Sequence, residues 1–312
     1  MKDKSFLSIS GLVRFTPEKH ALRAISRKAG FALLAVCVLQ LAVSPIAFLR
    51  PQLPATSDAL WLSLLAVLSG LTIAAGALAG KKLFGSEPQR REIRKAGAGE
   101  SAALVVAGAA LCMAGNFVGS LVENLAGRAG IEFHGGPGQA APQGLPGLLL
   151  MLLTVGLLPA VTEELLLRGV ILPPLQAFGD GFAVTGAAAL FALLHQNMEQ
   201  APMAFVSGLA LGWVYVRGGR LILPMAVHAW NNTAAVLLSL APDRAADIYA
   251  LGLGALGLLC LLALYLRRPA PERHMCALSP GKRALHFFFG SVPMVMALGY
   301  FIVVIVLNTK AG

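Results

Sequence analysis

Apolar residues fill this chain in long blocks, and polar residues gather between them. A transmembrane helix needs about 20 apolar residues. On that measure the blocks near 30–49, 58–80, 101–126, 146–172, 181–196, 201–217, 221–240, 247–266 and 285–308 are candidate spans. The fifth and sixth are short, so the expected count is eight or nine. The predicted fold class is therefore all-α, a polytopic transmembrane helical bundle. Small residues recur inside the blocks, as at Gly70, Ala74, Ala75, Gly76 and Gly80, and at Gly208, Ala210 and Gly212. Such positions let helices approach closely in lipid.

The blocks divide the chain into a basic N-terminal arm (1–29), N-terminal helices (30–144), a helical core (145–240) and C-terminal helices (241–312). Residues 5–27 mix Leu, Val, Phe and Ile with Arg, Lys and Ser, the make-up of either an interfacial amphipathic helix or a basic tail. The Gly/Pro-rich stretch Gly135–Gly147 reads as an external loop. The first apolar run spans ~20 residues, beyond the roughly 7–15 of a signal peptide, so a retained first span is expected.

Composition agrees with a membrane setting. Only 13% of the residues are charged and 57% are hydrophobic, against about 25% charged in soluble domains. A soluble globule and a disordered chain are both excluded. The net charge of +10 comes from clusters between the blocks. Lys2, Lys4, Arg14, Lys19, Arg23, Arg27 and Lys28 precede the first, and Lys81, Lys82, Arg90, Arg91, Arg94 and Lys95 follow the second. Arg267, Arg268, Arg273, Lys282 and Arg283 precede the last. Alternating from a cytoplasmic N-terminus puts every strongly basic connection inside, as the positive-inside rule demands. The expectation is a multi-pass protein of the cell membrane, of bacterial inner-membrane type, with the lipid bilayer as its solvent. No aromatic-basic pattern supports a nucleic-acid partner. Cys37, Cys112, Cys260 and Cys276 form no C-x-x-C pair, so neither a disulfide framework nor a cysteine zinc site is suggested.

The chemistry sits in the core. Glu163 and Glu164 are adjacent inside an apolar block, with Arg168 one turn later. Ionisable side chains at membrane depth are costly, which makes them functional candidates. Glu164 and Arg168 share a helix face with the acid N-terminal, a spacing that allows an ion pair. Glu163 is turned ~100° away and is left to face something else, as a candidate general base. Phe191 and His195 are one turn apart, as are His228 and Asn232. A lone histidine in an apolar helix is usually a satisfied core residue, but two of them with a buried glutamate pair argue for catalysis. Counting ~1.5 Å per residue from the cytoplasmic helix ends places Glu163, His195 and His228 in one layer near the bilayer centre.

Glu-Glu-x-x-x-Arg at 163–168, Phe-x-x-x-His at 191–195 and His-x-x-x-Asn at 228–232 resemble, in that order, the motifs of the CPBP family. These are the CAAX proteases and bacteriocin-processing enzymes, including the type II CAAX prenyl endopeptidases. The resemblance covers residues 145–240. It implies an all-helical intramembrane endopeptidase acting on a membrane-associated protein or peptide. By this resemblance Glu163 and His195 activate a water, His228 and Asn232 stabilise the oxyanion, and Glu164, Arg168 and Phe191 support them. Glu163, His195 and His228 are also a plausible zinc set. The absence of H-e-x-x-H spacing favours a mechanism without a cofactor, although the sequence alone leaves zinc open.

Rival readings are a non-catalytic membrane scaffold or bacteriocin-immunity-type protein with the same fold, and a proton-coupled transporter. No internal repeat supports the transporter. A serine rhomboid would want Gly-x-Ser-Gly, and the nearest stretch, Phe205-Val206-Ser207-Gly208, lacks the first glycine. Asp180 is alone and at a loop, which does not serve an aspartyl dyad.

Overall fold

A computed structural model describes residues 17–46, 58–85, 94–133, 144–267, 284–307 and 309–311. The helices are α1 (Pro17–Val43), α2 (Asp58–Phe84), α3 (Ala98–Arg128), α4 (Gly144–Phe178) and α5 (Asp180–Leu194). They continue with α6 (Ala201–Gly218), α7 (Ile222–Leu238), α8 (Asp243–Leu266), α9 (Ala284–Phe289) and α10 (Val292–Leu307). Among the described residues the strands are β1 (Ile131–Phe133) and β2 (Thr309–Ala311), one short antiparallel pair.

Helices occupy the predicted blocks, the last of them broken at Gly290–Ser291 into α9 and α10. Five stretches are long and apolar enough to cross a membrane: Lys19–Ile46, Leu60–Phe84, Ala98–Arg128, Gly144–Phe178 and Arg244–Leu266. The expected eight or nine spans are not reached on that measure: α5 and α10 are shorter apolar helices, and α6 and α7 are not among the five. Polarity is inverted relative to a soluble fold. Leu251 and Val292 are 76% and 73% exposed, whereas Glu164 and Arg168 are fully enclosed. Lipid as solvent selects that arrangement, and the chain is a membrane protein.

Within the bundle α6 packs between α3 and α5, and α8 lies against α3. Helix α4 runs between α2 and α7, while α1 contacts α2 and α10. Helix α1 begins at Pro17, well before the apolar block near residue 30. The reason is packing: Leu22, Ile25, Ser26 and Ala29 are buried. The Ser26 hydroxyl lies against the Phe288 carbonyl and 2.7 Å from the Ser291 hydroxyl. Lys19 and Arg23 cover the Phe287 ring, at 5.5 and 5.2 Å from its centroid. Residues 17–29 of the expected arm are thus part of the bundle, while 1–16 lie outside the described residues. So do residues 135–143 of the expected external loop; residues 144–147 open α4.

Basic residues gather at one end. Lys28 covers Phe84 at the end of α2. Phe84, Gly85 and Lys81 line one cavity together with Pro173, Pro174 and Leu221. The Ala96 amide, just before α3, donates to the carbonyl of Gly218 at the end of α6. Arg94 and Glu100, paired at 2.6 Å, line a second cavity with Arg267 at the end of α8. Lys28, Lys81, Lys82, Arg94, Arg217 and Arg267 are therefore carried at a common end of the helices.

Candidate functional site

The site is built on an irregular helix. Along α4, Leu152–Leu157 and Leu167–Ile171 wind as π turns on either side of the regular stretch Leu158–Leu166, which carries both glutamates. Such wide turns inside helices recur at functional sites. Pro159 has no N–H to offer the Val155 carbonyl four residues back. The Asn232 Nδ2 donates to that carbonyl at 3.3 Å, so a helix defect in α4 receives the side chain of α7.

A buried polar cluster holds the helices together. Arg168 Nη1 donates to Glu164 Oε1 at 2.7 Å, and Arg168 Nη2 donates to the Gly208 carbonyl at 2.8 Å. Both side chains are excluded from solvent. The His228 Nδ1 lies 3.1 Å from the same Glu164 oxygen. One carboxylate therefore gathers a cation of its own helix and an imidazole of α7. Gly208 is required here, because a Cβ would sit 2.9 Å from Ala188 Cα and 3.1 Å from Phe191 Cδ1. Its bareness lets α5 and α6 close up while its carbonyl meets the guanidinium.

Phe191 is the hub between the histidines. Its ring meets His195 edge-on at 4.8 Å and His228 at 5.5 Å, with interplanar angles of 87° and 86°. The Arg168 guanidinium lies over its face at 5.1 Å, a favourable placement for a cation. His195 closes the end of α5, and its Nδ1 is 2.9 Å from the Phe191 carbonyl. A carbonyl only accepts, so Nδ1 carries the hydrogen and Nε2 is the nitrogen left to act.

The structure thus brings Glu164, Arg168, Phe191, His195 and His228 into one contact chain, and seats Asn232 on α4. Glu163 precedes Glu164 along α4. It is half-buried, and its Oε2 is enclosed without a hydrogen-bond partner among the described residues. Sequence spacing paired Glu164 with Arg168 but did not reveal His228 as a second partner, nor the Gly208 and Val155 carbonyls. Those contacts depend on how separate helices are rotated against one another. Among the described residues no three His, Cys, Asp or Glu side chains are grouped so as to hold a metal ion.

Between α2 and α4 lies an apolar cavity of about 360 Å³. Leu165, Gly169, Val170 and Pro173 form one wall and Ala74, Ala77, Leu78 and Lys81 of α2 the other.

No curated protein and no solved structure matches this chain. A family model does: residues 145–234 match the type II CAAX prenyl endopeptidase Rce1-like family. The match begins with α4 and ends two residues beyond Asn232, and so encloses every side chain of the polar cluster. The family is one of endopeptidases, which supports protease activity in general. Residues 145–234 of this membrane protein form a domain of the CPBP/CAAX protease family.

Proposed function

We propose that the protein is an intramembrane endopeptidase that hydrolyses a peptide bond in a membrane-associated protein or peptide. Glu163, helped by His195 Nε2, takes a proton from water as it attacks the scissile carbonyl. The negative charge that forms on the carbonyl oxygen is met by the Asn232 amide and by His228 in its doubly protonated form, whose Nδ1–H is held by Glu164 and whose Nε2–H donates. The proton then passes to the leaving amine, which completes the cleavage. Glu164 and Arg168 hold His228 and the helix register. The observation that carries this reading is the shared Glu164 oxygen, which holds His228 Nδ1 and leaves Nε2 as the ring nitrogen available for chemistry. Donors fixed in advance at a developing charge lower a barrier most.

The proposed mechanism uses no cofactor, and no step runs through a metal. Eight or nine helices cross the cell membrane, with the N-terminus and the basic end in the cytoplasm. The apolar cavity between α2 and α4 receives the lipid-borne part of the substrate, with Lys81 at its rim. Its apolar walls support that role.

Two fluorescence-quenched peptides ending in a CAAX sequence, one prenylated and one not, test the proposal on purified protein in nanodiscs. Cleavage that survives chelators and is lost in His195→Ala and His228→Ala supports it. Full activity in either variant rejects the catalytic assignment, and chelator-sensitive activity restored by zinc rejects the cofactor-free one. Ala74→Trp, which fills the cavity, should raise KM for the prenylated probe about tenfold. Each buried CH₂ contributes about 0.8 kcal/mol, so excluding two of them suffices.

A further inference from the structure

His195 ends α5, and the next residue is held in an unusual backbone state. Gln196 has φ +52°, and among the described residues it is the one non-glycine with positive φ. Helices often end in such a left-handed residue, but glycine or asparagine normally supplies it. An L side chain of this size persists there only when its surroundings hold it. Two sets of contacts surround it. Ahead of Gln196, its amide donates to the Leu193 carbonyl at 3.1 Å, closing the last turn of α5. Behind it, the Asn197 side chain accepts from the Glu199 amide at 2.8 Å and the Asn197 carbonyl accepts from the Ala201 amide at 2.9 Å, starting α6. The chain must therefore reverse at Gln196 itself.

The Gln196 side chain reaches across to α1, where its Nε2 donates to Gln40 Oε1 at 2.8 Å. Gln40 is a half-buried amide in the apolar second half of α1. It lies far outside residues 145–234, so this contact fastens an N-terminal helix to the turn that aims His195.

We infer that Gln40 and Gln196 are positioning residues: the Gln40–Gln196 bond holds the left-handed turn that fixes the His195 ring with its hydrogen on Nδ1 and its Nε2 turned to the site. The inference rests on His195 acting as proposed above, but its test does not need a substrate. Protein labelled with ¹⁵N-histidine is reconstituted in nanodiscs, and the His195 ring signal is assigned by its loss in His195→Ala. Wild type should show a single ring state with the hydrogen on Nδ1. Gln40→Leu should convert this to a mixture of ring states and lower turnover on any cleaved peptide at least about tenfold with KM unchanged. Gln40→Glu keeps an accepting oxygen and should restore the single state. Gln196→Ala should reproduce the Gln40→Leu effect without adding to it.

An unchanged His195 signal in Gln40→Leu overturns the inference. So does equal damage in Gln40→Leu and Gln40→Glu, or additivity with Gln196→Ala, since each would mean that Gln40 serves helix packing alone. A His195→Ala variant that still cleaves would instead reject the catalytic role of His195, whatever the ring signal shows.

Discussion

At the residue scale the central object is the Glu164 carboxylate, which serves Arg168 and His228 at once. Taking a charged pair out of water is costly, and removing one member leaves the other uncompensated. Arg168→Met should therefore destabilise the protein by about 3–5 kcal/mol, read as a lowered midpoint of thermal unfolding in detergent. Arg168→Lys keeps the charge but lacks the planar fork that meets both Glu164 and the Gly208 carbonyl, so most of the loss should remain. The double variant Glu164→Gln/Arg168→Met should regain stability while staying inactive, because His228 loses its carboxylate. The Glu164–Arg168 pair was legible in the sequence because four-residue spacing puts both on one face. His228 as partner was not, since helix rotation is decided by packing between segments far apart in the chain.

At the element scale α4 explains how the site is assembled. Its helical nature followed from the apolar block, but its π turns did not, because hydrophobicity alone does not report helix winding. Pro159, Pro173 and Pro174 were the available signal. Pro159→Ala returns an N–H to compete for the Val155 carbonyl that Asn232 now occupies. A proline inside a helix costs about 3 kcal/mol, so the variant should unfold at a higher temperature. Its turnover should nonetheless fall by roughly tenfold to a hundredfold as Asn232 loses its seat. A variant both more stable and fully active would contradict the role given to this contact. Gly208→Ala tests the α5–α6 crossing: its Cβ would meet Ala188 and Phe191. Overpacking of this kind typically costs about 1–3 kcal/mol, and the same thermal measurement should show it.

At the scale of the whole molecule the basic end and the apolar girdle support the orientation proposed above. The segmentation into helices was readable because each block approaches the membrane's thickness. The limits of the N-terminal helix were not, because residues 17–29 look too polar for a span and are helical through their packing on α9 and α10. With the basic end in the cytoplasm, Arg244→Cys at the start of α8 should react with a membrane-impermeant maleimide on intact cells. Lys82→Cys at the end of α2 should react only after permeabilisation. The reverse pattern would invert the topology. The N-terminal helices also carry one wall of the apolar cavity and the Gln40 tie, so the 145–234 domain is completed by elements outside it.

The most direct test is a comparison of new protein termini in membranes from cells expressing wild type or Glu163→Gln, read by mass spectrometry. Glutamine preserves the size of the side chain and removes the base. Specific termini present with wild type and absent with Glu163→Gln, at equal levels of folded protein, are the predicted result. The same termini at undiminished abundance in the variant would contradict the account.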